Sequence, residues 1–403
     1  MVQVRSFVIA HAFFLFLLAC LGCGERKPTV RALLVAEVGP GEQNLRDMTR
    51  NFLAEYPQAV VHAEFVSRAQ AGDVVAGRKA SEYDVIAVEG TWLPDLVAFG
   101  VVRDLTDSLA EKLRQDLWPG LLSAMSCEGR VYAMPWVYDA RCLLANRPLC
   151  AELGVKEFPA TWDELFAQAE IIRTRETGMV PLAVAWDGDD LLTDYLACLA
   201  ALEGGASDSL DTPAGLNALV LMRRAVAEHV VQTGALEADA GEAQAIFVRG
   251  EAVYALGWSS DYWEMQRELG GAVGIAAPPG GAGASLTRSL GLAITRDSPH
   301  PEWAWRYVRY LTGRPVQTNF ADIAPPVWRS LYEEEEIRDR MADDQFVALL
   351  RETGLHLVMP SCRLRQAYER SALDRALRSA LSGELPLRDA LRLADRQARK
   401  TTK

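Results

Sequence analysis

The feature that most constrains this chain is an alternation near its start between strand-like and helix-like hydrophobic patterns. Residues 30–37 form an apolar, strand-forming run, and a polar, glycine-containing loop (residues 38–42) follows it. Leu45, Met48 and Phe52 then recur at the three- and four-residue spacing of one helix face. Pro57 stops that helix; residues 60–66 read as a second strand and 84–88 as a third. Strands alternating with helices predict a mostly parallel sheet covered on both faces. Ligands of such sheets sit beyond the carboxyl ends of the strands. Glu37, Val38, Gly39 and residues 89–92 are therefore the expected edge of a site.

Ahead of this pattern, Arg5 supplies a short positive region and residues 7–18 an apolar run. A membrane-spanning helix needs about 20 apolar residues, so the run is too short for one and reads as a secretory signal. It ends in LLACLGCGERKP, which has the form of a bacterial lipoprotein signal. Cys23, after Gly22, is the expected lipidation site, with Cys20 as the alternative. A thioether-linked lipid there would anchor the mature chain outside the cytoplasm. Removing residues 1–23 leaves about 380, enough for two or three domains. Half of all residues are hydrophobic, so the chain can bury a large core. The net charge of −12 argues against nucleic acid, which needs a basic face. Cys127, Cys142, Cys150, Cys198 and Cys362 are odd in number and irregularly spaced, so they form no disulfide framework, although Cys142 and Cys150 are near enough in sequence to bridge.

Farther along, GRVYAMPWVYD (residues 129–139) is a strand that Pro135 interrupts, so a bend and a domain boundary are expected there. PATWDEL (residues 159–165) starts a helix, with Thr161 as cap and Glu164 reaching back to complete a capping box. Trp162, just behind the cap, reads as core packing. Residues 278–283 (PPGGAG) are the most flexible-looking internal segment, and Pro325-Pro326 make another break. Glu333, Glu334, Glu335 and Glu336 suit the start of a helix. Residues 364–400 are helical in pattern, with a turn at 382–384.

Taken in order, these segments resemble the extracellular solute-binding proteins of carbohydrate ABC importers, most closely the trehalose/maltose-binding branch. NFLAEYPQAVVHAEF (51–65) resembles F-x-x-x-Y-P-x-x-x-V, and YDVIAVEGTWLPDLVAFGVVRDLTD (83–107) resembles D-V-x-x-x-D-x-x-W…A-x-x-G-x-L-x-x-L. GRVYAMPWVYDARCLLANRPLCAELG (129–154), followed by PATWDEL, is the most specific part; it is similar to G-x-x-Y-x-x-P-x-x-x-D…Y-R-x-D-L and P-x-T-W-x-E-L. FVRGEAVYALGW (247–258), PPVWRSLYEEEEI (325–337) and MPSCRLRQAYERSALDRALRSALSGELPLRDAL (359–391) match three further family segments. Together the six are spread along nearly the whole mature chain. The resemblance implies an α/β, two-lobed periplasmic-binding-protein fold (type II) with discontinuous lobes joined by hinge crossings. Lobe one would hold residues 28–138 and 287–327, and lobe two 139–286 and 328–403. Residues 135–139, 286–289 and 325–327 would be the hinges. Closure about such hinges is a known motion of periplasmic binding proteins.

A sugar offers hydroxyls at its edge and C–H groups on its faces, so its recognition calls for carboxylates or amides and flat aromatic rings. By the resemblance, Trp92 matches the family tryptophan, and Glu89 stands where an aspartate is usual. Asp139 matches the aspartate beside the first hinge, and Trp258 aligns with the tryptophan of an R-N-W element; Glu89 and Asp139 read equally as members of a structural salt bridge at the hinge. Tyr262, Trp263, Trp136, Trp186 and Tyr368, with Arg365 near the last, are further candidates for the ligand site. Asp187, Asp189 and Asp190 cluster where the family often has a glutamate-containing loop, but their spacing differs, and the alternative reading is a solvated turn. Three departures bear on the ligand. Arg288-Ser289-Leu290 replaces the family's G-G-W, Leu256-Gly257 replaces its R-N, and Ala145-Asn146-Arg147 replaces the Y-R before its D-L. Arg288 would suit an acidic or phosphorylated ligand, in place of the disaccharide or oligosaccharide the resemblance implies.

The expected role is that of a monomeric, lipid-anchored binding protein that delivers its ligand to ABC permease subunits and their ATPase. A ligand-sensing or adaptor lipoprotein of the same fold is the alternative. No catalytic residue and no cofactor is expected, since no hydrolase motif accompanies the carboxylates. His62, His229, His300 and His356 are scattered outside any metal-ligand spacing, and no glycine-rich phosphate loop is present.

Overall fold

The computed structural model describes residues 27–37, 39–76, 79–175, 178–203, 210–280, 285–321, 323–341, 344–355 and 372–400. Cys20, Cys23, Val38, His356, Cys362, Arg365 and Tyr368 lie outside the described residues, as do residues 281–284 of the PPGGAG segment.

The amino-terminal alternation folds as its pattern predicts. Strand β1 (Thr29–Val35) leads into helix α1 (Glu42–Glu55), which buries Leu45, Met48, Thr49 and Phe52 on one face. Strand β2 (Val60–Val66) and helix α2 (Arg68–Ala76) follow, then β3 (Val85–Glu89). A hairpin of β4 (Ser126–Cys127) and β5 (Arg130–Val131) turns through Glu128 and Gly129 at φ 51° and 78°. Two left-handed residues in a two-residue turn match the twist of the strands they join, and glycine takes that conformation without strain.

Next comes β6 (Ala133–Asn146), 14 residues long and buried throughout, spanning about 46 Å at the usual strand rise. Pro135 does not interrupt it. In the pairing of β6 with β10 (Thr287–Ile294), Gly291 faces Pro135 and Leu290 faces Val137, so Trp136 is the extra residue of a bulge. A bulge tolerates a residue with no backbone N–H, and the strand continues past it.

Helix α3 (Trp162–Thr174) is capped by Thr161, whose Oγ1 accepts from the Glu164 backbone N–H at 3.2 Å. The Glu164 carboxylate accepts instead from the Ala160 N–H at 2.9 Å, one residue earlier than a capping box requires. Beyond it lie β7 (Val180–Ala183), α4 (Asp189–Glu203), β8 (Ala252–Trp258), α5 (Tyr262–Glu268) and β9 (Val273–Ala276). Helix α6 (Pro301–Leu311) packs on the first half of the sheet. The last turns are α7 (Glu335–Arg340), which opens on the acidic run, and then α8 (Ala372–Ser382) and α9 (Leu387–Lys400), which are separated at Gly383.

The central sheet runs β2-β1-β3-β10-β6-β8-β7, with β9 also pairing with β6. It is mixed, not mostly parallel. The flanks are parallel (β1 with β2 and β3, β7 with β8), but β10 runs antiparallel to both β3 and β6, and β6 antiparallel to β8 and β9. Only the strands joined by crossover helices run parallel. β6 and β10 lie at the centre as long return strands, a connection that alternation near the amino terminus does not reveal. The proximal half of β6 pairs with β10 and its distal half with β8 and β9, the exchange falling at Asp139, Ala140 and Arg141.

Two hydrophobic cores flank this exchange. The first holds Leu33, Ile86 and Leu292 from the strands with Phe52 and Tyr307 from α1 and α6. The second gathers Leu143, Tyr254 and Leu256 with Trp186, Tyr195, Leu377 and Leu391, and Trp162 packs against its rim. Alternate residues of distal β6 serve different cores: Cys142 and Leu144 belong to the first, Leu143 and Ala145 to the second. Cys142 and Cys150 are not bridged; they are free thiols, as are Cys127 and Cys198.

Candidate functional site

Strand periodicity gathers the charged residues of the sheet centre on one face. Glu89 is opposite Leu290, Arg288 opposite Asp139, and Arg141 opposite Trp258. Since residues two apart share a face, Glu89, Arg288, Asp139, Arg141 and Trp258 form one row across four adjacent strands.

At the β3 end, the buried Glu89 carboxylate pairs with Arg68 Nη1 at 3.1 Å and accepts from Thr91 Oγ1 at 3.1 Å. Arg68 opens α2, and its backbone N–H donates to the Glu37 carboxylate at 2.8 Å. The carboxyl ends of β1 and β3 are thus tied together at the edge the sequence marked out. Trp92 lies in the turn beyond β3, part-buried, with the edge of its six-membered ring against Gly72. Gly39, at φ 79°, lets the loop after β1 come so near Val137 that a Cβ would sit 2.7 Å from Val137 Cγ2.

Asp139 is 1% exposed and fully engaged. It accepts from Ser259 Oγ at 2.6 Å, from the Ser260 N–H at 2.9 Å and from Ser260 Oγ at 2.7 Å. Arg288 adds Nη2 at 2.7 Å and Nε at 3.2 Å, both to Asp139 Oδ2. The Arg288 guanidinium also lies over the Trp258 ring, 4.1 Å from its centre. Planar stacking of this kind is typical of arginine.

The row ends in a network the sequence reading missed. Arg141, buried in mid-strand, donates Nε and Nη2 to the two oxygens of Asp194 at 2.7 and 2.9 Å, and Nη1 to Asp190 at 3.1 Å. Trp186 Nε1 donates to Asp194 at 2.9 Å, and Trp258 Nε1 to Asp190 at 3.1 Å. Burial works against the Arg141 charge, but Asp190 and Asp194 more than offset it and raise its pKa. Burial raises the pKa of Asp194 despite Arg141. Asp261, which accepts the Trp258 backbone N–H at 2.9 Å, is pushed up to about 6, by burial first and then by the Asp139 charge. Asp190 is therefore bound into this network and does not stand in a solvated turn. Two signals for it were available: a lone arginine within the apolar run DARCLLAN, and aspartates four apart on α4, one helix turn from each other.

Other candidates fall elsewhere. Trp136 is buried in the first core; its carbonyl accepts from Gln317 Nε2 at 2.9 Å, and it lines a small apolar cavity of about 10 Å³ with Met48, Val137 and Phe320. Tyr262 is buried too, stacked on Phe346 with ring centres 5.2 Å apart, and its hydroxyl accepts from Gln266 Nε2. Trp263 packs edge-on against Tyr262. Among the row and its partners, Arg68, Asp190 and Arg288 keep 25%, 16% and 28% of their side chains exposed, and Trp92 is part-exposed. Glu89, Asp139, Arg141 and Asp194 lie behind them and hold them in place. The array can donate and accept hydrogen bonds and offer an indole surface. No cluster of three or more His, Cys, Asp or Glu suited to a metal ion occurs among the described residues.

Residues 42–318 match the model of the bacterial extracellular solute-binding proteins. The chain belongs to that family. A relative from Deinococcus radiodurans, described as a "Probable ABC transporter-binding protein", is 28% identical over 283 residues, 65% of this chain and 66% of its own length. Maltose-bound T. maritima MalE3 superposes on this solute-binding protein at a TM-score of 0.79 and 22% identity, covering 92% of this chain and 99% of that one. An ABC transporter solute-binding protein from Thermotoga lettingae, bound with α-D-tagatose, does so at 0.78 and 21%, covering 93% and 100%. The fold is the mixed α/β periplasmic-binding-protein fold. Membership places the chain outside the cytoplasm and among binding proteins, not enzymes. No helix among the described residues is long and apolar enough to cross a membrane.

Proposed function

We propose that this solute-binding protein captures a sugar or sugar derivative between two lobes and delivers it to the permease of an ABC importer. The observation that carries this reading is the row at the sheet centre. It sets carboxylates and guanidinium groups in fixed geometry, and the part-exposed indole of Trp92 follows Glu89 by three residues, the pairing a polyhydroxylated ligand needs. Family membership and the maltose and tagatose held by the two structural neighbours support the same ligand class. Lobe one comprises residues 28–138 and 287–327 and lobe two 139–286 and 328–403, and they close about β6 and β10. The change of pairing partners on β6 at Asp139–Arg141 favours a pivot there. Cys23, or Cys20, carries the lipid anchor.

The test is a thermal-shift screen of sugars and polyols on protein lacking residues 1–23. A ligand that binds only the folded form at a hundred times its Kd stabilises by about 2.7 kcal/mol. The expected result is a rise in Tm with one class of carbohydrate or polyol, lost in Trp92→Ala while the ligand-free variant stays folded. A complete screen with no stabilising carbohydrate or polyol refutes the reading.

A further inference from the structure

We infer that Arg288 fills the place of a second sugar ring, so the ligand is a single-ring sugar or an open-chain polyol and not a disaccharide. The inference rests on the solute-binding reading of this site and narrows its ligand class. A sugar ring stacks only on an aromatic face that nothing else covers. Trp258, which the motif resemblance offered as such a platform, is 7% exposed. The Arg288 guanidinium lies 4.1 Å from its ring centre, Arg141 lies 5.3 Å from it, and the indole N–H is committed to Asp190. Trp92, in the turn three residues beyond Glu89, keeps open surface, with one edge resting on Gly72. At this end of the row it provides one indole face, enough for one ring.

Nor can Arg288 swing aside readily. It directs two N–H groups to one oxygen of Asp139, a carboxylate buried to 1% exposure. Withdrawing the guanidinium would leave that buried anion with hydroxyl and amide donors in place of its cation, an arrangement folded proteins strongly disfavour. The same pairing bears on the acidic or phosphorylated ligand for which Arg288 seemed suited. Its charge is already matched by Asp139, and the nearby Asp190 is a second anion against the Trp258 edge. Arg288 acts here as a specificity residue: its remaining exposed edge offers hydrogen-bond donors to a small polyhydroxylated ligand, while its plane closes the indole behind it.

The experiment is calorimetric titration of protein lacking residues 1–23 with a panel of hexoses, hexitols and the corresponding disaccharides, maltose included. It is repeated on Arg288→Ala/Asp139→Asn, which removes both charges together and strands neither. The unaltered protein should bind a hexose or hexitol at least tenfold more tightly than any disaccharide. In the double variant the ratio of disaccharide to single-ring affinity should shift at least tenfold towards the disaccharide. If the unaltered protein binds a disaccharide as tightly as its component sugar, the size inference is overturned while the binding role stands. If the folded variant shows no shift in that ratio, the role of Arg288 is overturned. If neither protein binds any carbohydrate or polyol, the functional reading falls and the inference with it. Should the variant not fold, the affinity ratio of the unaltered protein decides the question by itself.

Discussion

Asp261 provides a quantitative check on the electrostatics of the row. Its carboxyl is pushed from 3.8 to about 6 by burial and by the neighbouring Asp139 charge. Above pH 7 it is ionised both in the fold and in the unfolded chain, and about two pKa units correspond to about 3 kcal/mol of destabilisation. Because Ser260 and Asp261 retain some contact with solvent, about 2 kcal/mol is the better expectation. As pH falls through 6 the folded form takes up the proton first, so this cost disappears progressively down to about pH 4, where the unfolded chain also protonates. Asp261→Asn removes the charge and keeps an oxygen to accept the Trp258 N–H, now 2.9 Å away. Urea unfolding followed by tryptophan fluorescence should find the variant about 2 kcal/mol more stable than the unaltered protein at pH 8, with the difference falling to about 1 kcal/mol by pH 4.5 and to near zero only below about pH 3.5. A difference independent of pH, or a variant less stable at pH 8, would show that Asp139 and burial do not burden Asp261 as argued.

Two further outcomes test the framework around the site. Arg141→Met leaves Asp194 buried without its cation, at a cost of about 3–5 kcal/mol in denaturant unfolding, and adding Asp194→Asn should recover part of that loss. At the bulge, a Cβ on Gly291 would collide with Met125 Sδ and lie 2.9 Å from Ala133 Cβ and 3.1 Å from the Met134 carbonyl. Gly291→Ala should therefore lose about 1–3 kcal/mol, measured as a fall in Tm, because backbone on the far side cannot yield.

Much of the flanking structure was legible because its signals are local. The spacing of Leu45, Met48 and Phe52 defines α1, the alternation through residue 66 defines β2, and Thr161 marks where α3 begins. The centre of the sheet was not, because pairing between β6 and strands more than a hundred residues away leaves no mark in a local window. The same distance hid Arg141. Its meaning depends on Asp190 and Asp194, some fifty residues on, and no local pattern links either of them to β6. Motif resemblance singled out Glu89, Asp139 and Arg288 one by one, but it could not show that they share one face or that Trp258 is covered by the arginine that replaces a family glycine.

The row also accounts for where charge is tolerated in so apolar a sheet. A buried ion survives only when its partners are already in place, and along β6 that condition is met where the strand leaves β10 and takes up β8. There the sheet lacks a single continuous core, since the first cluster lies on one side of distal β6 and the second on the other. Asp139 and Arg141 occupy this seam. Asp139 is held by Ser259 and Ser260 beyond β8 and by Arg288 of β10; Arg141 is held by Asp190 and Asp194 of α4. Of these, the Arg288–Asp139 pair joins segments that the proposed pivot would move against one another, while the others hold Asp139 and Arg141 in place on the far side of it. Opposite charges there favour particular relative positions of the two halves over a continuum of them, which a purely apolar seam would permit. A ligand meeting Arg288, Asp190 and Trp92 would thus contact the groups whose geometry the pivot sets, and that is the physical requirement for coupling capture to closure.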